Sequence, residues 1–167
     1  MRSSTSYHPD RVRCRGLTMI ELLVVVVILG IAAAIAAPNL STWMESYTVR
    51  KAGRQLVSDL QLAKMRSVSQ GLQHRITFDT ANKSYIIERG NASSGSTVWA
   101  QVDVVRALST EQNPYHAKGV TLATNFTNNA VLFSPLGTAS PAGTVTLTTA
   151  NYTRNVRVIL TGRVRLE

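Results

Sequence analysis

Acidic residues and cysteine are what this chain has least of. Nine Asp and Glu stand against eighteen Lys and Arg in 167 residues, and the one cysteine is Cys14. A single cysteine excludes an intrachain disulfide and any cysteine-cluster metal site. The scattered acids show no calcium-loop spacing. His74 and His116 lie far apart in sequence, in no metal-ligand spacing. There is no Gly-x-Ser-x-Gly elbow and no phosphate loop. The sequence therefore predicts no catalytic residue, no cofactor and no metal, and the fold has to be held by packing.

What the chain does have is one long apolar run. Residues 17–37 carry a single charge, Glu21. As a helix, these 21 residues reach about 31 Å, enough for a hydrocarbon core of about 30 Å. Arg11, Arg13 and Arg15 precede the run, so the positive-inside rule predicts a cytoplasmic N-terminus and sends residues 38–167 outward. A carboxylate in lipid costs several kcal/mol, so Glu21 has to be neutralised or paired. A cut between Gly16 and Leu17 would create a cationic amine one helical turn from Glu21. In an assembly, that amine could meet the carboxylate of a neighbouring subunit. Two plainer readings exist: a secretory signal cut near Ala34-Ile35-Ala36, and a simple single-span anchor. Against the first stand the length of the run and the acid inside it.

Beyond Pro38, which would kink or loosen a helix, residues 39–70 predict a long amphipathic helix with two stripes. Leu40, Trp43, Met44 and Tyr47 share one face. Val49, Ala52, Leu56, Leu60 and Ala63 share another, roughly half a turn away at about 100° per residue. Two customers for one helix is the inference: an assembly for the first stripe, the chain's own sheet for the second. The alternative is a helix distorted near Ser46 with a single core face. Gly71 supplies a stop. Residues 75–78 and 84–88 predict a hairpin, and 98–105 a strand with Trp99 in the core. Residues 106–118, with Asn113-Pro114, read as a loop. Further strands are expected at 119–123, 130–134, 144–149, 155–160 and 163–166. Helix first and short strands afterwards predicts an α+β fold, a long N-terminal helix packed on an antiparallel sheet.

The stretch Arg15-Gly16-Leu17-Thr18-Met19-Ile20-Glu21-Leu22 resembles the type IV prepilin signal: a basic leader, Gly, a hydrophobic residue, then Glu at the fifth mature position. Leu17 stands where Phe is usual. Gly30 inside the helix and Pro38 after it are similar to that family too. Three further pieces, residues 60–67, 131–137 and 156–165, resemble the GspH/FimT branch of minor pilins and pseudopilins. The resemblance implies a cleaved leader (1–16), a transmembrane and assembly helix (17–37), its amphipathic continuation (38–70) and a β-rich periplasmic domain (71–167). It implies cleavage between Gly16 and Leu17 by a prepilin peptidase, N-methylation of Leu17, and assembly with other pilin or pseudopilin subunits through the helix and Glu21. The place implied is the bacterial inner membrane, then a filament. The function implied is that of a minor pseudopilin in type II protein secretion. The alternative is a FimT-like minor type IV pilin that takes up DNA. Secreted exoproteins are the partners in one case and DNA in the other.

Loss of the leader removes four arginines and Asp10, leaving 14 basic and 8 acidic residues, a net +6. Arg154, Arg157, Arg163 and Arg165 fall within twelve residues with no acid until Glu167. Strand alternation puts Arg163 and Arg165 on one face and Val164 and Leu166 on the other. Gly162-Arg163-Val164-Arg165 is similar to the Gly-Arg-x-Arg ending through which FimT-like pilins bind DNA. Two guanidiniums about 7 Å apart along a strand could bridge phosphates without reading bases. The plain alternative is an edge strand kept soluble by charge.

Overall fold

The computed structural model describes residues 18–111, 113 and 115–167, with side chains at all of these except 35–40. The leader, Gly16, Leu17, Pro114 and the side chains of Pro38 and Leu40 lie outside the described residues. The chain divides into two units, Met1–Asn39 and Leu40–Glu167.

Helix α1 spans Met19–Gln70. Thr18 opens it, its Oγ1 accepting the Glu21 amide at 3.3 Å. In the first unit, every described side chain through Ala34 is exposed. Among the described residues no helix is long and apolar enough to cross a membrane; the described side chains of the apolar run stop three residues short of Ala37. The helix closes where the sequence predicts. Gly71 takes φ +66, the left-handed conformation that glycine enters without steric cost. Ser67 Oγ then lies 2.8 and 2.9 Å from the carbonyl oxygens of Leu72 and Phe133, its one proton shared between them, tying the helix end to the sheet.

Two antiparallel sheets complete the second unit. The first runs β3 (Trp99–Gln101), β2 (Ser84–Gly90), β1 (His74–Asp79), β6 (Ala130–Phe133), β7 (Ala139–Ser140), with β4 (Arg106–Ala107) also on β2. The second runs β10 (Val164–Leu166), β9 (Thr153–Val158), β8 (Gly143–Thr148), β5 (Thr121–Thr124). The expected hairpin is β1–β2, in register from His74↔Arg89 to Asp79↔Ser84. Alternation sends Ile76, Phe78, Tyr85, Ile87, Val131 and Phe133 inward from one sheet, and Leu122, Val145, Leu147, Val156 and Val158 from the other. They share one core with Val49, Ala52, Leu56, Leu60 and Ala63 of α1. This is the second helix stripe of the sequence reading, and these five side chains are between 0 and 6% exposed.

Several expectations need correction. The strand expected at 98–105 shrinks to three residues, Trp99–Gln101, because Asp103 turns away to meet two arginines. Trp99 is half-buried rather than core: it lies on the edge strand with the Arg75 guanidinium 4.2 Å above its ring. The strand expected at 155–160 is Thr153–Val158, since residues 159–162 form the turn closed by Gly162 N–H to Ile159 O at 2.8 Å. Strands β4 and β7 are two residues each, too short to leave a periodic signal.

Candidate functional site

Three regions carry the residues singled out by sequence. The first is α1. Its core stripe is spent on the domain's own interior, yet Trp43, Met44 and Tyr47 are 63, 56 and 59% exposed. Trp43 and Tyr47, one helical turn apart, stack with centroids 5.8 Å apart and planes 18° apart. The single-core-face alternative is thereby excluded for this part of the helix, since the two stripes point to different surroundings. Glu21 is exposed in the first turn, where a negative side chain suits the helix N-terminus.

The second region is the outer face of the second sheet. Arg157 lies directly opposite Arg165, while Val158 and Val156 face Val164 and Leu166 on the inner side. Arg163 is exposed just ahead of β10. Among the described residues, none of these three arginines forms an ion pair. Arg154 is not with them. It pairs with Leu147 and shares the inward parity of Val156 and Val158, half-buried at the strand's end. The structure thus sets Arg157 directly against Arg165 across the strands, with Arg163 exposed two residues before Arg165 in the chain. Sequence alternation saw only Arg163 with Arg165. Thr144, which follows on β8 opposite Arg157, extends this face with a hydroxyl.

The third region is where the family-like pieces meet. Lys64 Nζ donates to the Gly162 carbonyl at 3.1 Å. Gly137 and Gly162 both have positive φ, +78 and +72. A side chain on Gly162 would run into the Gly137 carbonyl, and one on Gly137 would meet Lys64 Cε at 3.2 Å. Leu160 O accepts the Ala139 amide at 2.9 Å. So the glycine of Gly162-Arg163-Val164-Arg165 serves the fold, a close backbone approach, while the arginines beside it face outward.

Sequence reasoning missed a buried charge network. Asp59 Oδ2 accepts from Tyr85 Oη at 2.7 Å and Arg106 Nε at 2.8 Å. Arg106 and Arg66 both donate to Asp103 Oδ2, at 3.1 and 2.9 Å. Tyr115 places its ring 5.0 Å from the Arg106 guanidinium. Burial, reinforced by Asp59, pushes the Tyr85 hydroxyl far above its ordinary range. At Asp103 burial opposes ionisation, but the hydrogen bonds and charges of the two arginines outweigh it and hold the carboxyl below its usual value. The network clips the segment after β3 to the helix. Its only sequence signal was a strand pattern that an acid and an arginine interrupt. His74 is fully buried: Nδ1 meets Leu72 O at 3.2 Å and Nε2 has no partner. Among the described residues no three His, Cys, Asp or Glu side chains gather as metal ligands would.

A long N-terminal helix packed by one stripe onto antiparallel sheets, its apolar start left exposed, defines a pilin-like subunit. The family model described as Type II transport protein GspH matches residues 52–162, and that for the prokaryotic N-terminal methylation motif matches residues 11–37. The chain belongs to the GspH family. Its fold is similar to that of the minor pseudopilin EpsH from the type 2 secretion system of Vibrio cholerae, at 12% identity and a TM-score of 0.55 over 71% of this chain and 95% of that one. It is similar as well to the type IV minor pilin FimU of Pseudomonas aeruginosa, at 20% identity and 0.54 over 75% and 92%. Identities this low speak for the fold alone. No curated protein sequence matches the chain significantly.

Proposed function

We propose that this chain is a minor pseudopilin of a type II secretion system, a structural subunit at or near a filament tip. The observation that carries this reading is a helix with an unused face. The domain buries the stripe of Val49 and its companions, and leaves Trp43, Met44, Tyr47 and the apolar residues 19–34 exposed. Residues 17–37 hold the subunit in the bacterial inner membrane, N-terminus in the cytoplasm and residues 38–167 in the periplasm, until it is extracted. A prepilin peptidase cuts between Gly16 and Leu17 and N-methylates Leu17. Glu21 then sets register, because only a correctly placed neighbour presents an amine to it. The match to the N-terminal methylation motif over residues 11–37 supports these steps. The test is the mass of the purified native protein and the phenotype of its loss. A chain starting at methylated Leu17, whose deletion stops export of folded proteins, is expected; one starting at Met1 or beyond Ala36 sinks the reading.

A second reading is favoured by the outer face of the second sheet. Like charges directly opposite each other destabilise a sheet, yet Arg157 and Arg165 stand so, with Arg163 beside them and no acid in ion-pair contact among the described residues. Such a face suits a polyanion backbone, as in a minor type IV pilin that holds DNA during natural transformation. Retardation of duplex DNA that weakens steeply with salt, and that vanishes in an Arg163→Glu/Arg165→Glu variant, is the expected sign. Absence of retardation at low salt leaves secretion as the role.

A further inference from the structure

Along one side of helix α1 the chemistry changes in a fixed order. The apolar run ends at Ala37; Trp43 and Tyr47 follow, then Arg50 and Arg54. At about 100° per residue these four share one stripe, opposite the core residues Val49, Ala52 and Leu56. With Lys51 they line one shallow groove, and no carboxylate lines it. Among the described residues, none of Arg50, Lys51 and Arg54 forms an ion pair, and all three are exposed. Their place is unfavourable for a plain anchor. Arg50 is the first Lys or Arg after Arg15, and Arg54 lies 17 residues beyond Ala37, inside the window of about 15–20 residues in which cations oppose an outward orientation.

Apolar, then aromatic, then cationic is also the order of environments met on leaving a bilayer: hydrocarbon, the interfacial belt where Trp and Tyr rings settle, and the phosphates. Seven residues of helix, about 10 Å, separate Trp43 from Arg50, and a long arginine stem can lie along apolar surface while its head reaches the polar layer. We infer that the face of residues 43–54 docks on anionic phospholipid headgroups, in the outward leaflet of the membrane that holds residues 17–37. Trp43 and Tyr47, stacked on one another, take the belt, and Arg50, Lys51 and Arg54 meet the phosphates, the guanidiniums by paired hydrogen bonds. A zwitterionic headgroup would want an acid for its ammonium, and the groove has none. The inference rests on the membrane-held subunit proposed above and deepens it. Lipid grips the stored subunit beyond its span, and extraction has to break that grip.

Fluorescence of the full-length chain in vesicles tests this. The emission of Trp43 is the difference between the native chain and Trp43→Phe, and its quenching by phospholipid brominated high on the acyl chains reports contact with the interface. Vesicles of phosphatidylcholine alone are compared with vesicles in which about a third is phosphatidylglycerol, at equal bromolipid content. Quenching about twofold or more stronger in the anionic vesicles is expected. It should fall to the phosphatidylcholine level in Arg50→Glu/Arg54→Glu and in about 1 M salt, and persist in Arg50→Lys/Arg54→Lys. Trp43 and both arginines are solvent-exposed, so none of these changes disturbs the core. Equal quenching in the two kinds of vesicle, or quenching indifferent to charge reversal, overturns the inference. Emission that follows protein density rather than lipid charge marks contact between copies and overturns it as well. Washing the vesicles at high pH separates the two failures. A chain that stays in the vesicles without charge-dependent quenching overturns this inference alone; a chain that washes off overturns the membrane-held subunit, and this inference with it.

Discussion

Two groups of arginines in one domain live under opposite rules. Arg106 is 2% exposed, with Asp59 and Asp103 both in contact. Arg157 and Arg165 stand opposite each other in water with no acid in ion-pair contact among the described residues. The difference is solvation. Removing a guanidinium from water costs several kcal/mol, so its partners must travel with it. On a wet surface two like charges repel only weakly, by a few tenths to about 1 kcal/mol. A paired, buried arginine is therefore part of the fold, while an unpaired, exposed pair adds little to it.

The contrast sets a series of tests. The largest effect is expected from Arg106→Ala, which strands Asp59 in the core; urea denaturation is expected to show a loss of about 3–5 kcal/mol. Replacing both partners with apolar residues, Asp59→Leu with Arg106→Met, is expected to recover a large part of it. If the single and double variants are equally unstable, the network's charges are not what the segment needs.

Next comes Gly162→Ala, at the junction beside the outward-facing arginines. Its φ of +72 alone implies a cost of about 1–3 kcal/mol, and the clash with the Gly137 carbonyl adds to it. Unchanged stability would return the glycine to a binding role.

A smaller effect follows from acid. Burial holds the imidazole of His74 below its ordinary 6.5, against the pull of the Leu72 carbonyl. The unfolded chain thus takes up a proton at higher pH than the native one. Stability is complete above pH 6.5 and falls as the solution is acidified through the depressed native value. Urea midpoints at about pH 7.5 and 5.5 should separate in the native chain and converge in His74→Gln. The stability that Glu88 and Asp103 add, both depressed, is present throughout this window and is lost only below about pH 4. The smallest change is expected from Arg157→Thr/Arg165→Thr: stability neutral or raised by up to about 1 kcal/mol, with any polyanion binding lost. Destabilisation there would make the exposed pair part of the fold after all.

Much of this architecture was legible because it repeats. The Val49–Ala52–Leu56–Leu60–Ala63 stripe shows in sequence since helical periodicity accumulates over five positions, and the β1–β2 hairpin since both strands alternate around a polar turn. Trp99 misled: a tryptophan in an alternating run suggests core, but its strand stops after three residues and leaves it on an edge under Arg75. The buried network was illegible. Asp59, Tyr85, Arg66, Asp103 and Arg106 are scattered over 48 positions, and no local pattern marks an acid that will be desolvated.

The amino-acid order alone determined the apolar run with its lone acid, the two-sided helix and the α+β layout. These depend on spacing along the chain, which steric and hydrophobic periodicity convert directly into faces. Only tertiary structure decided which arginines meet. Strand register set Arg157 against Arg165 and turned Arg154 away, and the approach of Gly137 to Gly162 brought Lys64 to the same turn. Those pairings depend on which strands become neighbours, a choice made by packing the whole core at once.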